Sequence, residues 1–126
     1  MIWNKPSTRS LGQLAEKVAL NYLKQQGLKY IQANFQCKMG EIDLIMQSPH
    51  GWVFVEVKYR HHRQFAAPEA SVDSRKMAKI IKTAQFFLQK NNLSEYNSDC
   101  RFDVITISGD LHSPDINWHK NAFYGE

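Results

Sequence analysis

The feature that most constrains the fold is a pair of segments with a strand-like pattern, 40–47 and 52–60, separated by the four residues Ser-Pro-His-Gly. Both segments are rich in β-branched and aromatic residues, which is typical of β-strands. The proline between them presets φ, and the glycine can adopt a positive φ. The pattern therefore predicts an antiparallel hairpin with its loop at 48–51.

The loop length sets the pairing of the two strands. If pairing starts directly outside the loop, Asp43 lies opposite Glu56 and Glu41 lies opposite Lys58. Side chains alternate between the faces of a strand, so these four charged groups share one face. A shift of one residue would bury the charges, so the pattern favours this register. The opposite face then carries only apolar side chains, namely Ile42, Leu44, Met46, Val53, Val55 and Val57.

Two carboxylates directly across a hairpin repel each other, since their Cβ atoms are about 4.5–5.5 Å apart. A cation must therefore join Asp43 and Glu56. Lys58 lies on the same face and can serve as that cation. A divalent metal can serve too, because magnesium is held by one or two carboxylates, several waters and a substrate phosphate. A solvated charged face and a metal site both remain open on the spacing alone.

Length and composition indicate an ordinary globular chain. Its 126 residues suit one domain, 1–126, in which we expect residues 1–9 to form a loose basic arm. The sequence has no apolar run of membrane-spanning length and no secretory signal pattern. We therefore expect a cytoplasmic protein with reduced cysteines and no membrane partner. The net charge of +4 and the pI near 9.1 fit a polyanionic partner.

The first helix is predicted from the 3.6-residue apolar period that begins after Ser10 and ends at Gly27. Serine is a favourable N-cap, and glycine favours helix termination. Glu16 falls at the edge of the apolar stripe, beside the small residues Gly12 and Ala19. A helix with small residues there can approach a sheet closely, so the carboxylate either reaches over the sheet or stays in solvent.

A second helix is predicted from Ser71 or Asp73 to Asn91, and it carries a basic face with no acidic residue between Asp73 and Glu95. Single-sign faces favour phosphate contact, although a solvated face remains the alternative. The loop after the hairpin is basic as well. It suits phosphate contact better than metal binding, and an ordinary solvated loop is the alternative. The candidate nucleic-acid contacts are Arg60, Arg63, Arg75, Lys76, Lys79 and Lys82.

Further strands are predicted at 30–37, 101–108 and, as a short edge strand, 116–119. Arg101 and Asp103 share one side of their strand, so a structural ion pair is expected there. A helix separates the third and fourth strands, which allows them to lie parallel. The predicted class is α/β, with a mixed β-sheet flanked by helices.

The αβββαβ order, with Asp43 on the second strand and Glu56-Val57-Lys58 on the third, resembles the core of restriction-endonuclease-like nucleases, whose signature is PD-(D/E)xK. Four segments also resemble the YraN family, an uncharacterised group classed with endonucleases and similar to Holliday junction resolvases. They are LAEKVA at 14–19, GEIDLI at 40–45, FVEVKYR at 54–60 and RFDV at 101–104. Ile42 stands in place of the signature proline, and Ala15 stands where the family usually has glycine.

This resemblance implies that Asp43 and Glu56 bind Mg²⁺ or Mn²⁺ with help from the Val57 carbonyl. Lys58 would orient or deprotonate the attacking water, or neutralise charge on the phosphate. Glu16 matches a position where related nucleases place another metal-side carboxylate. These roles imply a metal-dependent endonuclease for branched or otherwise structured DNA, and resolvase-like members of the fold act as homodimers. The alternatives are a catalytically inactive nucleic-acid-binding module and a protein-interaction scaffold.

Overall fold

The computed structural model describes residues 8–60, 73–93 and 99–123. Within these ranges the chain forms two helices and five strands. They are α1 (Thr8–Gln25), β1 (Lys29–Cys37), β2 (Gly40–Ser48), β3 (Gly51–Arg60), α2 (Ser74–Lys90), β4 (Cys100–Ser108) and β5 (Asp115–Phe123). Neither helix is long and apolar enough to cross a bilayer.

The five strands form one mixed sheet in the order β1-β2-β3-β4-β5. All neighbours are antiparallel except β3 and β4, which are parallel and connected through α2. The predicted α/β class and the αβββαβ core are therefore confirmed. The last strand is longer than predicted, at 115–123 instead of 116–119, because its polar outer half does not show the apolar alternation from which strands are recognised.

The two helices cover opposite faces of the sheet, and each face has its own apolar cluster. The α1 cluster includes Ala15, Ala19, Leu23, Leu44, Met46, Val53, Val55, Ile105 and Ile107. The α2 cluster includes Phe35, Ile42, Ile45, Phe54, Ile80, Ala84, Phe87, Leu88, Phe102 and Val104. The central strands are thus buried on both sides, which is usual where a parallel pair lies between helices.

Helix α1 begins at Thr8, so the predicted N-cap at Ser10 and a loose arm reaching Arg9 are wrong. Serine and threonine both suit an N-cap, so several positions at the start of this helix compete as its first residue. The helix end is as predicted, since Gly27 adopts φ +98 just after it. The Leu28 N–H then donates to the Leu23 carbonyl oxygen at 3.0 Å, the bond expected of a Schellman motif.

Helix α2 has the caps that the sequence indicates. The Asp73 carboxylate accepts a hydrogen bond from the Lys76 N–H at 2.8 Å, and Asn91 closes the other end. The boundaries therefore agree with the prediction that uses Asp73 as the first residue. This cap fixes the backbone of the first helical turn, from which Lys76 projects.

The β2–β3 hairpin has the predicted register, because Gln47 pairs with Trp52 and Leu44 pairs with Val55. Its loop is shorter than predicted, since Ser48 and Gly51 also pair and leave only two residues between the strands. Backbone pairing between β2 and β3 ends at Leu44 and Val55. Beyond this point β2 stays paired with β1, and β3 stays paired with β4.

The predicted all-apolar face of the hairpin is wrong at Ile42. This residue packs in the α2 cluster, whereas Leu44 packs in the α1 cluster. The paired strand β1 contains Asn34 with φ 53, a left-handed conformation that asparagine tolerates better than most residues. The strict alternation of side chains is interrupted there, so residues two apart no longer share a face.

The expected ion pair between Arg101 and Asp103 is confirmed, with 3.1 Å between Arg101 Nε and Asp103 Oδ1. The Asp103 side chain is fully buried and also accepts hydrogen bonds from Trp118 Nε1 at 2.8 Å and the Asn121 N–H at 2.9 Å. These three donors satisfy a carboxylate that would otherwise be costly to bury. The network joins β4 to β5 and is structural.

Gly51→Ala is expected to lower the free energy of unfolding by more than about 1 kcal/mol. Gly51 has φ +153, and an added Cβ would overlap the Asp99 carbonyl group. Urea denaturation measures the effect, with Gly12→Ala as the matched control. No atom lies within 4 Å of a Cβ at Gly12, which is inside α1, so that change should raise stability by up to about 1 kcal/mol. Equal effects of the two substitutions would contradict the argument.

Candidate active site

The candidate site lies where β2 and β3 separate. Asp43 lies on β2 directly before Leu44, the residue at which backbone pairing with β3 ends. Its Oδ2 accepts a hydrogen bond from the Val57 N–H at 2.8 Å. A side-chain carboxylate thus satisfies a strand N–H that faces the gap. The N–H and C=O of one strand residue point to the same side, so the Val57 carbonyl is also expected to face this gap.

Glu56 is the second carboxylate of the site, and its residue is only 7% exposed. Two ammonium groups contact its Oε1: Lys58 Nζ at 3.5 Å and Lys76 Nζ at 2.9 Å. Asp43 and Glu56 line the same groove, and the charge of Glu56 acts on Asp43. The structure therefore brings together Asp43, Glu56 and Lys58, and it adds Lys76 from the first turn of α2.

Burial, together with the nearby charge of Glu56, raises the pKa of Asp43 to about 8. The hydrogen bond from Val57 opposes this rise because it favours the charged form. The metal-free site therefore holds a proton on Asp43 at neutral pH. A bound cation would favour the ionised carboxylate and release that proton.

The two lysines respond in opposite ways to their shared position. Burial lowers the pKa of the Lys58 ammonium, and the neighbouring Lys76 lowers it further. Burial alone would also lower the pKa of Lys76, but its close contact with the Glu56 carboxylate outweighs burial and raises it. Lys76 is thus the more firmly charged of the two, and Lys58 is the one nearer to a neutral amine.

The predicted pairing of Glu41 with Lys58 is wrong. β2 has left β3 at this point, and Glu41 lies instead beside Glu16. With its amide nitrogen turned toward them, Asn34 donates to Glu16 Oε1 at 2.8 Å and to Glu41 Oε1 at 3.2 Å. Burial and the charge of Glu41 raise the pKa of Glu16, although Asn34 opposes the rise. The Glu16 carboxylate therefore reaches over the sheet.

Two grooves meet at Asp43. The α1-side groove has a volume of about 480 Å³ and is lined by residues that include Glu16, Asn34, Glu41, Asp43, Val57 and Tyr59. The α2-side groove has a volume of about 420 Å³ and is lined by residues that include Glu41, Asp43, Glu56, Arg75, Lys76 and Lys79. Asp43 lines both grooves, which suits a group that contacts substrate and cation together.

The predicted nucleic-acid contacts separate into three groups. Arg75, Lys79 and Lys82 are exposed on α2, and Arg60 is half-buried at the end of β3. Lys76 points inward and contacts Glu56, so it does not belong to the exposed basic row formed by Arg75, Lys79 and Lys82. Arg63 lies outside the described residues.

Sequence reasoning missed the roles of Asn34 and Lys76. Asn34 carried a usable signal, because asparagine inside a strand pattern tolerates a positive φ and marks an irregularity. Lys76 carried no comparable signal. Its position on the helix face borders the basic row, and only the packing of α2 against β3 shows that it reaches Glu56.

The donor set fits a hard divalent cation. Among residues 8–60, 73–93 and 99–123, no group of three or more histidine, cysteine, aspartate or glutamate side chains is arranged to hold a metal ion. Magnesium does not require such a group, because it commonly takes one or two carboxylates and fills its other positions with water and substrate phosphate. Asp43 and Glu56 offer such a pair of oxygen ligands, and the described residues that line the two grooves include no soft ligand.

The sequence model of the uncharacterised protein family UPF0102 matches residues 15–107, which contain Glu16, Asp43, Glu56 and Lys58. The chain belongs to this family. The resemblance to YraN proteins is confirmed by this match, since they form the same family.

Relatives match almost the whole chain. A UPF0102 protein of Colwellia psychrerythraea is 42% identical over 98% of this chain and 100% of its own length. A UPF0102 protein of Coxiella burnetii is 46% identical over 91% of this chain and 92% of its own. The solved structure of Pyrococcus furiosus SfsA in complex with Ca²⁺ aligns with 90% of this chain and 64% of its own, at 14% identity and a TM-score of 0.40. That likeness is too distant to bear on function.

Asp43→Asn is expected to stabilise the metal-free protein at pH 8 by at least about 2 kcal/mol. In the unfolded chain Asp43 ionises near pH 3.8, whereas in the folded protein its pKa is raised to about 8. The folded state binds one more proton between these values, so this group makes the free energy of unfolding fall as pH rises from about 4 to 8. Asparagine removes that slope and keeps an acceptor for the Val57 N–H.

Urea denaturation in EDTA at pH 5, 6.5 and 8 measures this effect. Asp110→Asn is the control, because Asp110 is exposed and lies outside both grooves. A wild-type pH dependence that Asp43→Asn leaves unchanged would show that Asp43 is not protonated in the folded protein.

Proposed function

We propose that this protein is a Mg²⁺- or Mn²⁺-dependent endonuclease that hydrolyses phosphodiester bonds in DNA. The observation that carries the proposal is the meeting of Asp43, Glu56 and Lys58 at the separation of β2 and β3. Membership of the UPF0102 family and the αβββαβ core agree with it. Branched or otherwise structured DNA is the substrate class that the resemblance to resolvases favours.

In this proposal Asp43, Glu56 and the Val57 carbonyl hold the metal. The fixed Asp43 Oδ2–Val57 contact keeps the first ligand in place before a cation arrives. The metal supplies charge stabilisation at the phosphoryl oxygen and lowers the pKa of bound water. Glu16 stands on the far side of Asp43 and can accept a hydrogen bond from a water in the α1-side groove.

Lys58 acts on the nucleophile or on the phosphate. Its lowered pKa brings it closer to the neutral amine that a general base needs. In its charged form it instead neutralises negative charge on the phosphate as the bond breaks. Either role requires its present position beside Glu56.

The DNA backbone is expected to follow the exposed face of α2. Arg75, Lys79 and Lys82 lie there with no acidic side chain between them. Cutting both strands of a duplex or junction requires two such sites, so we propose a homodimer as the active form.

Asp43→Ala and Glu56→Ala are each expected to abolish divalent-metal binding and to reduce cleavage by at least about 100-fold, because each removes a metal ligand. Lys58→Met should keep metal binding and lose cleavage. Calorimetry with Mg²⁺ and Mn²⁺ measures binding, and a panel of duplex, flap and four-way-junction DNA measures cleavage.

Three outcomes separate the functional classes. Metal-dependent cleavage lost in all three variants would establish the nuclease. Salt-dependent DNA binding that persists in EDTA, without metal binding or cleavage, would replace it with a nucleic-acid-binding module. Absence of both metal and DNA binding would leave a protein-interaction scaffold.

Replacing Arg75 and Lys82 together with glutamine should weaken DNA binding at every sequence tested and reduce the slope of log K against log salt by about 1–2. Both residues contribute exposed charge on α2, and neither forms one of the described ion pairs with Glu56. Fluorescence anisotropy at several salt concentrations measures the slope. Lys24→Gln with Lys120→Gln is the control for net charge, because these residues lie on other elements. An equal loss in the control would show that net charge, not α2, accounts for binding.

A further inference from the structure

We propose that Lys76 is a resident counter-cation, which holds Glu56 in the metal-free protein, leaves it when a divalent cation binds and then contacts the substrate phosphate. The inference rests on the proposed function for the identity of the metal and the phosphate. It also assigns Lys76 to the active site, apart from the exposed basic row of α2.

The contact geometry supports direct competition between Lys76 and a metal. Lys76 Nζ lies 2.9 Å from Glu56 Oε1, which is closer than Lys58 Nζ at 3.5 Å from the same oxygen. A magnesium ion bound by Glu56 would lie about 2.0–2.1 Å from a carboxylate oxygen. A lysine ammonium and a divalent ion on one oxygen repel each other strongly when little water screens them. Metal binding through this oxygen therefore requires Lys76 to move.

The burial of Glu56 explains why a counter-cation is present. Its side chain is only 9% exposed, and an ionised carboxylate without a partner is costly at that depth. The adjacent Asp43 adds a second acidic group to the same groove. A cation from the protein stabilises the metal-free state, which must exist before any metal arrives.

Lys76 is better placed to leave than Lys58. The Lys76 side chain is 40% exposed, whereas that of Lys58 is 22% exposed. Lys58 projects from β3, whose backbone is paired with β4 through this region. The backbone of Lys76 is fixed by its hydrogen bond to the Asp73 side chain, so only the long side chain needs to rotate.

The groove defines where the released ammonium goes. Arg75 and Lys79 line the same α2-side groove as Glu56, beside Lys76 on the first turns of the helix. A lysine that leaves Glu56 stays beside these two basic side chains, in a groove that Asp73 also lines. A phosphate that completes the coordination of the metal would arrive there, so the ammonium exchanges one anionic partner for another.

The test is a metal titration of Lys76→Gln against Lys79→Gln. Both variants lose one positive charge from the same helix and the same groove, but only Lys76 contacts Glu56. We expect Mn²⁺ to bind Lys76→Gln several-fold more tightly than the wild type, whereas Lys79→Gln stays within about twofold of the wild type. Lys76→Arg keeps the charge and should keep wild-type metal affinity. Calorimetry measures the affinities without any need for cleavage.

A second measurement tests the phosphate contact. At saturating Mn²⁺, Lys76→Gln should cleave DNA more slowly in single turnovers despite its tighter metal binding. Equal or weaker Mn²⁺ binding by Lys76→Gln would overturn the counter-cation. Tighter binding with an unchanged cleavage rate would overturn the phosphate contact.

The failure of this inference is distinguishable from that of the proposed function. If the wild type binds Mn²⁺ and Lys76→Gln binds it no more tightly, only the inference fails. If neither binds Mn²⁺ at millimolar concentration, both fail. If Lys76→Gln binds Mn²⁺ more tightly than the wild type, and neither the wild type nor any variant cleaves DNA, the counter-cation role is supported and the nuclease proposal fails.

Discussion

The hydrogen bond from the Val57 N–H to Asp43 Oδ2 is the interaction on which the rest of the site depends. Two antiparallel strands cannot separate inside a protein without leaving N–H and C=O groups unpaired, and such groups are costly to bury. Asp43 satisfies one of them with its side chain. The same bond spans the gap between β2 and β3 and fixes the orientation of the carboxylate. Fold and site thus share one polar contact.

The opening of the hairpin has a consequence for charge. A carboxylate placed at the end of a buried gap, next to Glu56, is forced toward its protonated form. Lys58 and Lys76 reduce that cost by contacting Glu56 from a strand and from a helix. Under the proposed function, a divalent cation and a phosphate would replace these ammonium groups as the partners of Glu56. Metal binding, proton release from Asp43 and movement of Lys76 would be coupled through these contacts.

Much of the fold was predictable because its signals are local. The alternation of apolar residues in the hairpin predicted the pairing of Leu44 with Val55, and Asp73 and Gly27 marked helix boundaries correctly. Predictions failed where alternation itself fails. Asn34 interrupts β1, so Ile42 changes face, and the separation of the strands removes Glu41 from Lys58. A period-2 pattern contains no information about where two strands stop pairing.

By itself, the sequence determined the element order, because each helix and strand shows its own local periodicity. It also determined the hairpin register and the candidate triad of Asp43, Glu56 and Lys58, because these follow from residue spacing along two adjacent strands. Tertiary structure alone decided that Lys76 contacts Glu56 and that Asn34 bridges Glu16 and Glu41. Lys76 reaches Glu56 from a helix beyond the end of β3, and Asn34 lies between groups from α1 and β2. Such contacts depend on how helices pack against a twisted sheet, and spacing within one segment does not specify that packing.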